Sequence, residues 1–491
     1  MKKIKAGLSK KKAARLQMKL DQAINLQVQG NFVASEELLQ QVLATNPKCA
    51  PAYHYLALIA KEFKAVDAAF SLFEQSIALD NKNAEVYYNY AVMLALEGRL
   101  GDAEKAYECA VLIDKKMDVA WFNLANTYFK NNKYDHVRYA LNQFLKIPNH
   151  HVELYPNVAR YYFDIGDIES TKDVCSHALA ANIAQDEVLW TLINAEQNLQ
   201  NVENFLTQVK AVKLKTGLKD ELIMRLTIYQ AIGEWQLGLL EECQISIDAT
   251  NQWLAGFKPN PINQSLLSYR FFLSQLLIYS RNNPSREPSN KDIYLIGDSH
   301  SLSNSNQTIL LQDQLYKTTS KLLFGCKAFH LAQKNYNKFK ASFEHAINTV
   351  PDGGTVIMMI GEIDCRVNEG ILPVFKKGQQ ELTTLVQETV RGYVSFVLSR
   401  TQPRNIEVYF YGVPASRRMG DTSESDMEIL KNIILLFNQT LLNCALQTGN
   451  KFINIYKLTA NNSGLTDGLY HIDDFHLLPK CLEAAEVTFL R

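Results

Sequence analysis

Ile293-Tyr-Leu-Ile-Gly-Asp-Ser-His300, Val356-Ile-Met-Met-Ile-Gly-Glu-Ile-Asp-Cys-Arg366 and His471-Ile-Asp-Asp-Phe-His476 decide the reading of this chain. The first two each pass from an apolar run into a Gly-led polar turn. That is how an open α/β sheet delivers polar side chains to the carboxyl ends of its strands. The third sets an Asp and a His three residues apart near the chain end. Together they supply a serine, a histidine and a carboxylate, the parts of a hydrolytic relay.

Around these blocks, strands are expected at 293–298, 325–331, 355–361, 406–413 and 451–457. Helices are expected at 336–349, 376–400, 424–447 and 479–490. Such alternation means βαβ units and a mainly parallel sheet covered on both faces. Residues 292–491 therefore read as one doubly wound, three-layer α/β domain, with Ser299, 362–366, Asp473 and His476 on one edge. Residues 256–291 read as one apolar helix, 265–279, followed by the Pro-, Ser- and Asn-rich linker 280–291.

The N-terminal half has a different period. Registers starting at Leu16, Ala50, Ala84, Asp118 and Val152 lie 34 residues apart. Position 8 is then Ala23, Ala57, Ala91, Ala125 and Ala159, small residues where two helices cross closely. Position 15 is Gly30, Lys64, Gly98, Asn132 and Gly166, where a left-handed turn residue is wanted. Pro47 stands where a second helix must stop. This pattern resembles the tetratricopeptide repeat, clear over 16–185 and degenerate to about 255. The resemblance implies an all-α superhelix whose concave face takes a protein or peptide partner. Position 6 is Asn89, Asn123 and Asn157 in three successive repeats. A row of amides can hold an extended peptide by its backbone, as the similar superhelix of O-GlcNAc transferase suggests. Asn is also common at this position in such repeats, so the alternative is plain repeat consensus with no special ligand.

The totals exclude several classes. Lys+Arg and Asp+Glu both number 51, so a dedicated nucleic-acid binder is not expected. No apolar run of about 18 residues stands out, so no membrane span is expected. Residues 1–15 form a basic lead-in, with Lys2, Lys3, Lys5, Lys10, Lys11, Lys12 and Arg15, and no secretory h-region follows. Eight scattered cysteines without a CxxC pair suggest reduced thiols in a cytoplasmic protein. No metal site is read, and Walker, dinucleotide-binding, HExxH and Gly-x-Ser-x-Gly patterns are missing.

The C-terminal domain resembles the SGNH, or GDSL-type, hydrolases over roughly 291–491. Gly297-Asp-Ser299 matches the first block of that family and Asp473-Asp-Phe-His476 its Asp-x-x-His block. Gly361-Glu-Ile-Asp364 stands where the family has Gly-x-Asn-Asp. The resemblance implies a flavodoxin-like fold, no cofactor, and Ser299 as nucleophile, His476 as base and Asp473 as its orienting carboxylate. It also implies an oxyanion hole built from the Ser299 N–H, a Gly N–H and an Asn amide. Gly325 is the candidate Gly, unless it only permits a turn. Ile363 occupies the Asn position, so that donor is missing. Glu362, Asp364 and Arg366 either serve the substrate or form a structural ion-pair network beside Gly361. His300 either contacts substrate or caps the turn after Ser299, and His471 is a candidate wall residue. The expected function is a serine esterase acting on an ester substrate, with an O-acetylated carbohydrate as the preferred guess. An O-acyltransferase using the same residues, and a repeat adaptor with a silent hydrolase-like domain, are the alternatives.

Overall fold

The repeat frame appears in the structure as a train of paired helices. The computed structural model describes residues 10–254, 260–287, 289–378, 380–417 and 422–489. Two compact units result, 1–154 and 155–491. Of the basic lead-in, residues 1–9 lie outside the described residues, and 10–15 already belong to the first helix, Lys10–Val28.

In the first unit the pairs are Lys10–Val28 with Phe32–Thr45, Ala50–Glu62 with Val66–Leu79, Ala84–Leu96 with Leu100–Ile113, and Asp118–Lys130 with Tyr134–Lys146. Ala23, Ala57, Ala91 and Ala125 have no exposed surface, as close helix crossing requires. Gly30, Lys64, Gly98 and Asn132 all have positive φ, from +56° to +79°. A left-handed residue there ends one helix and turns the chain into the next.

The second unit starts with the fifth pair, Tyr155–Asp164 and Ile168–Ala180, joined through Gly166 at φ +81°. Two further pairs follow, Gln185–Asn198 with Val202–Lys213 and Asp220–Gln236 with Leu240–Ala249. Gln200 and Gly238 hold the left-handed turns of these pairs, so the turn geometry outlasts the sequence register. The last long helix of the series is Pro261–Asn282. The sequence placed the architectural change at the 280–291 linker, but helices 155–282 and the sheet share one compact unit.

The sheet has seven strands: β1 Asp292–Gly297, β2 Thr308–Leu311, β3 Gln314–Leu322, β4 Thr355–Met359, β5 Glu407–Tyr411, β6 Lys451–Asn454 and β7 Glu486–Thr488. Their order is β2-β3-β1-β4-β5-β6-β7. β1 pairs in parallel with β3 and β4, and β4–β5 and β5–β6 are also parallel, while edge strands β2 and β7 run antiparallel. Successive strand residues feed opposite faces. Ile296, Val356, Met358, Val408, Phe410 and Phe452 join one core with the helices Leu382–Thr401 and Glu424–Gln447. Ile293, Leu295, Ile357, Met359, Tyr409 and Ile453 join the other, closed by Leu477, Cys481 and Leu482.

Three expectations need correction. Residues 325–331 are not a strand. They form a turn at Gly325 and the short helix Ala328–Ala332, and the parallel neighbour of β1 on the side away from β4 is β3. β3 reads Gln-Leu-Tyr-Lys-Thr-Thr-Ser-Lys-Leu, too polar to register as a buried strand, because its outer neighbour is only the hairpin strand β2. Residues 479–490 are not a long helix either. Cys481–Ala484 makes one turn before the chain enters β7, and residue 490 lies outside the described residues. Finally, Glu424–Gln447 is long and apolar enough by composition to cross a membrane. In this fold Leu430, Ile433, Ile434, Phe437 and Leu441 of that helix are buried in the core, as a sheet-covering helix requires.

Candidate active site

The carboxyl ends of β1 and β4 touch at their first polar turns. The Asp298 N–H donates to the Met359 carbonyl at 3.2 Å, and the Leu323 N–H donates to the Gly297 carbonyl at 2.6 Å. Any Cβ on Gly297 would lie 2.1 Å from the Met359 carbonyl oxygen, so only glycine fits there. Beyond it the chain tightens into a 3-10 turn, Ser299–Leu302, with Asp298 as its cap: Asp298 Oδ1 accepts from the His300 N–H at 3.0 Å. That turn presents Ser299 at the sheet edge, 5% exposed.

The third block folds over it. Asp473 Oδ1 accepts from the Phe475 and His476 N–H groups at 2.8 and 2.7 Å. Asp473 Oδ2 pairs with His476 Nδ1 at 2.7 Å, and His476 Nε2 lies 2.7 Å from Ser299 Oγ. A carboxylate can only accept, so Nδ1 carries a proton and Nε2 of the neutral ring is free to accept from the serine hydroxyl. Burial works against the Asp473 charge, but the hydrogen bonds from His476 and the two backbone N–H groups outweigh it. They hold its carboxyl at about 2. The competing carboxylate, Asp474, instead pairs with Arg417 at 3.2 Å.

His300 does not face the cleft that Ser299 lines. Its Nδ1 bonds Asp298 Oδ1 at 3.0 Å and its Nε2 bonds the Phe475 carbonyl at 3.1 Å. Both partners are acceptors, so both ring nitrogens are donors and the ring is cationic. Burial alone would lower its pKa, yet the charge of Asp298 and the bond to it raise it. His300 thus ties the first block to the third. His471 does line the cleft, and burial, with the nearby His300 charge, lowers its pKa to about 4.

The second block divides its labour. Arg366 gives three hydrogen bonds to Glu362, from Nε at 3.0 and 2.9 Å and from Nη2 at 2.6 Å, and one to Glu369 at 3.4 Å. Its guanidinium also lies over the Phe475 ring at 4.3 Å. Asp364 is fully buried and accepts from the Ala328 and Phe329 N–H groups at 2.7 and 3.1 Å, capping the short helix after Gly325. Gly361 packs against Phe437, whose ring a Cβ would meet at 2.7 Å. Neither Asp364 nor Gly361 lines the cleft, and both shape the loop rather than touch its contents. Ile363 and Gly325 do line it. Gly325 has φ +65°, a backbone that glycine adopts without strain.

The cleft holds about 580 Å³. One wall was not legible in the sequence: Gln264, Ser265, Ser268 and Tyr269 of the Pro261–Asn282 helix. Tyr269 stacks on Phe324 at 4.5 Å. It lines the cleft together with Ser299 and Gly325, and burial raises the pKa of its hydroxyl. Phe272, one turn on, stacks on His476 at 3.8 Å between centroids and 14° between planes. The signal was the spacing 265, 268, 269, 272, one helix face carrying hydroxyls and aromatics together. More bonds fasten the earlier helices to the sheet. Gln197 and Gln200 donate to the Leu322 carbonyl at 2.8 and 2.9 Å, and Trp235 donates to the Leu302 carbonyl at 2.9 Å.

Among the described residues, one group could hold a metal by distance: Asp298, His300 and Glu362, with ligand atoms within 4.8 Å of one another. Both nitrogens of His300 and the Glu362 carboxylate are already committed to protein partners, which fits a charge cluster better than a ligand set. Of the amide row, Asn89 Nδ2 bonds His54 Nε2 at 3.0 Å and Asn123 Nδ2 donates to the Tyr88 hydroxyl at 3.1 Å. Both partners lie in the preceding repeat, so these amides link repeats to one another. Asn157 is exposed, and its Oδ1 accepts from Arg160 at 3.4 Å.

Comparison with known proteins bears on the helical region. Residues 72–108 match the tetratricopeptide repeat model, so this region carries tetratricopeptide repeats, which commonly bind protein partners. No curated protein matches the sequence significantly. Among solved structures, the chain is similar to MamA at 16% identity and TM-score 0.28, covering 35% of this chain and 91% of MamA. Pseudomonas aeruginosa pilF is 13% identical at TM-score 0.29, covering 53% and 97%. The C-terminal part of a TPR repeat-containing protein from Cytophaga hutchinsonii is 11% identical at TM-score 0.40, covering 51% and 98%. Likenesses at TM-scores this low say nothing about the Ser299 cleft.

Proposed function

We propose that residues 292–491 act as a serine esterase of the SGNH type. The observation that carries this reading is the unbroken Ser299–His476–Asp473 hydrogen-bond run, 2.7 Å at each link. The strand order supports it: the parallel strands β3-β1-β4-β5-β6 follow the flavodoxin-like order 2-1-3-4-5, with Ser299 at the end of the first. Ser299 Oγ attacks the ester carbonyl as its proton passes to His476 Nε2, and Asp473 holds the imidazolium. The tetrahedral centre collapses, the alcohol leaves with that proton, and water repeats the sequence on the acyl-enzyme. A second alcohol in place of water would make the reaction an acyl transfer. The cleft carries Glu362, Arg366, Glu369 and Asp474, a polar lining suited to an ester on a hydrophilic carrier such as an O-acetylated glycan. That substrate rests on family analogy. The tetratricopeptide repeats add a protein-interaction role.

The missing family Asn favours the second reading, a repeat adaptor whose hydrolase-like domain is silent. A fluorophosphonate probe separates the two. Labelling of the wild type, with p-nitrophenyl acetate turnover, and loss of both in Ser299→Ala and His476→Ala is the expected result. A folded wild type that neither labels nor turns over rejects the esterase and leaves the adaptor.

A further inference from the structure

The chemistry of the Ser299–His476 pair fixes where one half of the ester must lie. The proton that His476 takes from Ser299 passes to the alcohol oxygen as the bond from that oxygen to the carbonyl carbon breaks. The alcohol oxygen must then come within hydrogen-bond reach of His476 Nε2, the atom 2.7 Å from Ser299 Oγ. The alcohol half of the ester therefore lies along the imidazole.

One face of that imidazole is closed. Phe272 stacks on it at 3.8 Å and has no exposed surface. The helix that carries Phe272, Pro261–Asn282, also forms a wall of the cleft. Ser268, Ser265 and Gln264 line the cleft and stand four, seven and eight residues before Phe272, the spacing of one helix face. At about 1.5 Å per residue they lie roughly 6 to 12 Å from it along the axis. All three are exposed, and none is charged. Ser268 Oγ donates to the Gln264 carbonyl at 3.1 Å, which leaves its lone pairs to accept. The Ser265 hydroxyl and the Gln264 amide can each donate and accept. The aliphatic lining comes instead from the sheet domain, with Ile363, Val413 and Ile434 no more than 7% exposed. So little open aliphatic surface suits a short acyl group, because apolar attraction scales with the area covered.

We propose that the Gln264–Ser265–Ser268 face is the subsite for the alcohol half of the ester, and that this alcohol is a neutral, polyhydroxylated carrier of carbohydrate type. The proposal rests on the serine esterase reading above. It moves the choice of substrate onto the Pro261–Asn282 helix, outside the sheet domain. A sugar offers hydroxyls that give and take hydrogen bonds at once, as this face does. A fatty alcohol would bury the three polar groups without partners.

The test compares p-nitrophenyl acetate with mono-O-acetylated xylo- and cello-oligosaccharides, using the full chain. The variant is Gln264→Ala/Ser265→Ala/Ser268→Ala, with folding followed by thermal melting. For each protein the sugar-ester kcat/KM is divided by that for p-nitrophenyl acetate, so a general loss of catalysis cancels. The ratio is expected to fall about tenfold in the triple variant, mostly through KM for the sugar ester. Gln264→Ala alone is expected to lower it about threefold, and carries the test if the triple variant does not fold. A ratio that stays within about twofold of wild type overturns the proposal. So does a wild type that turns over p-nitrophenyl acetate but neither sugar ester, and the esterase reading survives both results. A folded wild type that neither labels with fluorophosphonate nor turns over any of these esters sinks the esterase reading itself, and the proposal with it.

Discussion

Asp473→Asn is the sharpest single perturbation of this site, because two functions of one side chain separate in it. In the wild type Oδ1 takes two backbone N–H bonds and Oδ2 takes the imidazole proton. An Asn keeps its oxygen on the two backbone donors, which leaves its NH2 facing His476 Nδ1. That nitrogen must then accept, so the ring proton moves to Nε2 and the Ser299 hydroxyl loses its base. Such a tautomer reversal costs about 10⁴ in kcat, or about 5.5 kcal/mol of barrier. Stability changes separately. Moving the carboxyl from 3.8 to about 2 on folding contributes about 2 kcal/mol at neutral pH. The folded pKa lies below the unfolded one. The contribution is therefore complete above about pH 4 and disappears as pH falls toward 2. Urea melts of both proteins at pH 7 and pH 3.5 should show a gap that narrows at the lower pH, with activity followed by ester turnover at pH 7. Turnover within tenfold of wild type, in a protein whose melt is shifted as expected, would refute the tautomer argument.

Phe272→Leu removes the ring that stacks on His476 while filling most of the space. A loss of about 1 kcal/mol in urea melts and a fall in kcat larger than any change in KM are expected, because the imidazole loses one of its walls. Asp364 titrates the other way from Asp473. Its burial raises its pKa to about 6, above the unfolded value, so its stabilising protonation is complete below about pH 4 and lost as pH rises through 6. The wild type should gain stability against Asp364→Asn between pH 7.5 and pH 5, measured as the difference in urea midpoints. Gly98→Ala and Gly166→Ala share the left-handed backbone, and each costs about 1 kcal/mol on that ground. The new methyl of Gly166→Ala also meets the Asn337 carbonyl at 2.8 Å, while that of Gly98→Ala meets nothing within 4 Å. The melting temperature should therefore fall further for Gly166→Ala.

What the sequence determined by itself was everything written in local spacing. The 34-residue period came through because small residues at helix crossings and left-handed residues at turns obey short-range sterics. Positions 8 and 15 are filled accordingly in every clear repeat. The block around Ser299 and the Asp473–His476 pair were legible because a strand end, a tight turn and an i,i+3 spacing each lie within a few residues. Polar β3 was not legible, since an outer strand covered by one hairpin need not be apolar. Nor was the short final helix, because β7 pairs with β6 from more than 30 residues away. The tertiary structure alone decided the rest. It took Asp364 out of the cleft to cap a helix and gave Arg366 to Glu362. It also brought Phe272, from a helix read as one more apolar segment, against His476, and set Tyr269 of the same helix in the cleft that Ser299 lines. The Phe272–His476 stack joins residues more than 200 positions apart. No local pattern encodes it, because only the packing of the Pro261–Asn282 helix against the sheet domain creates it.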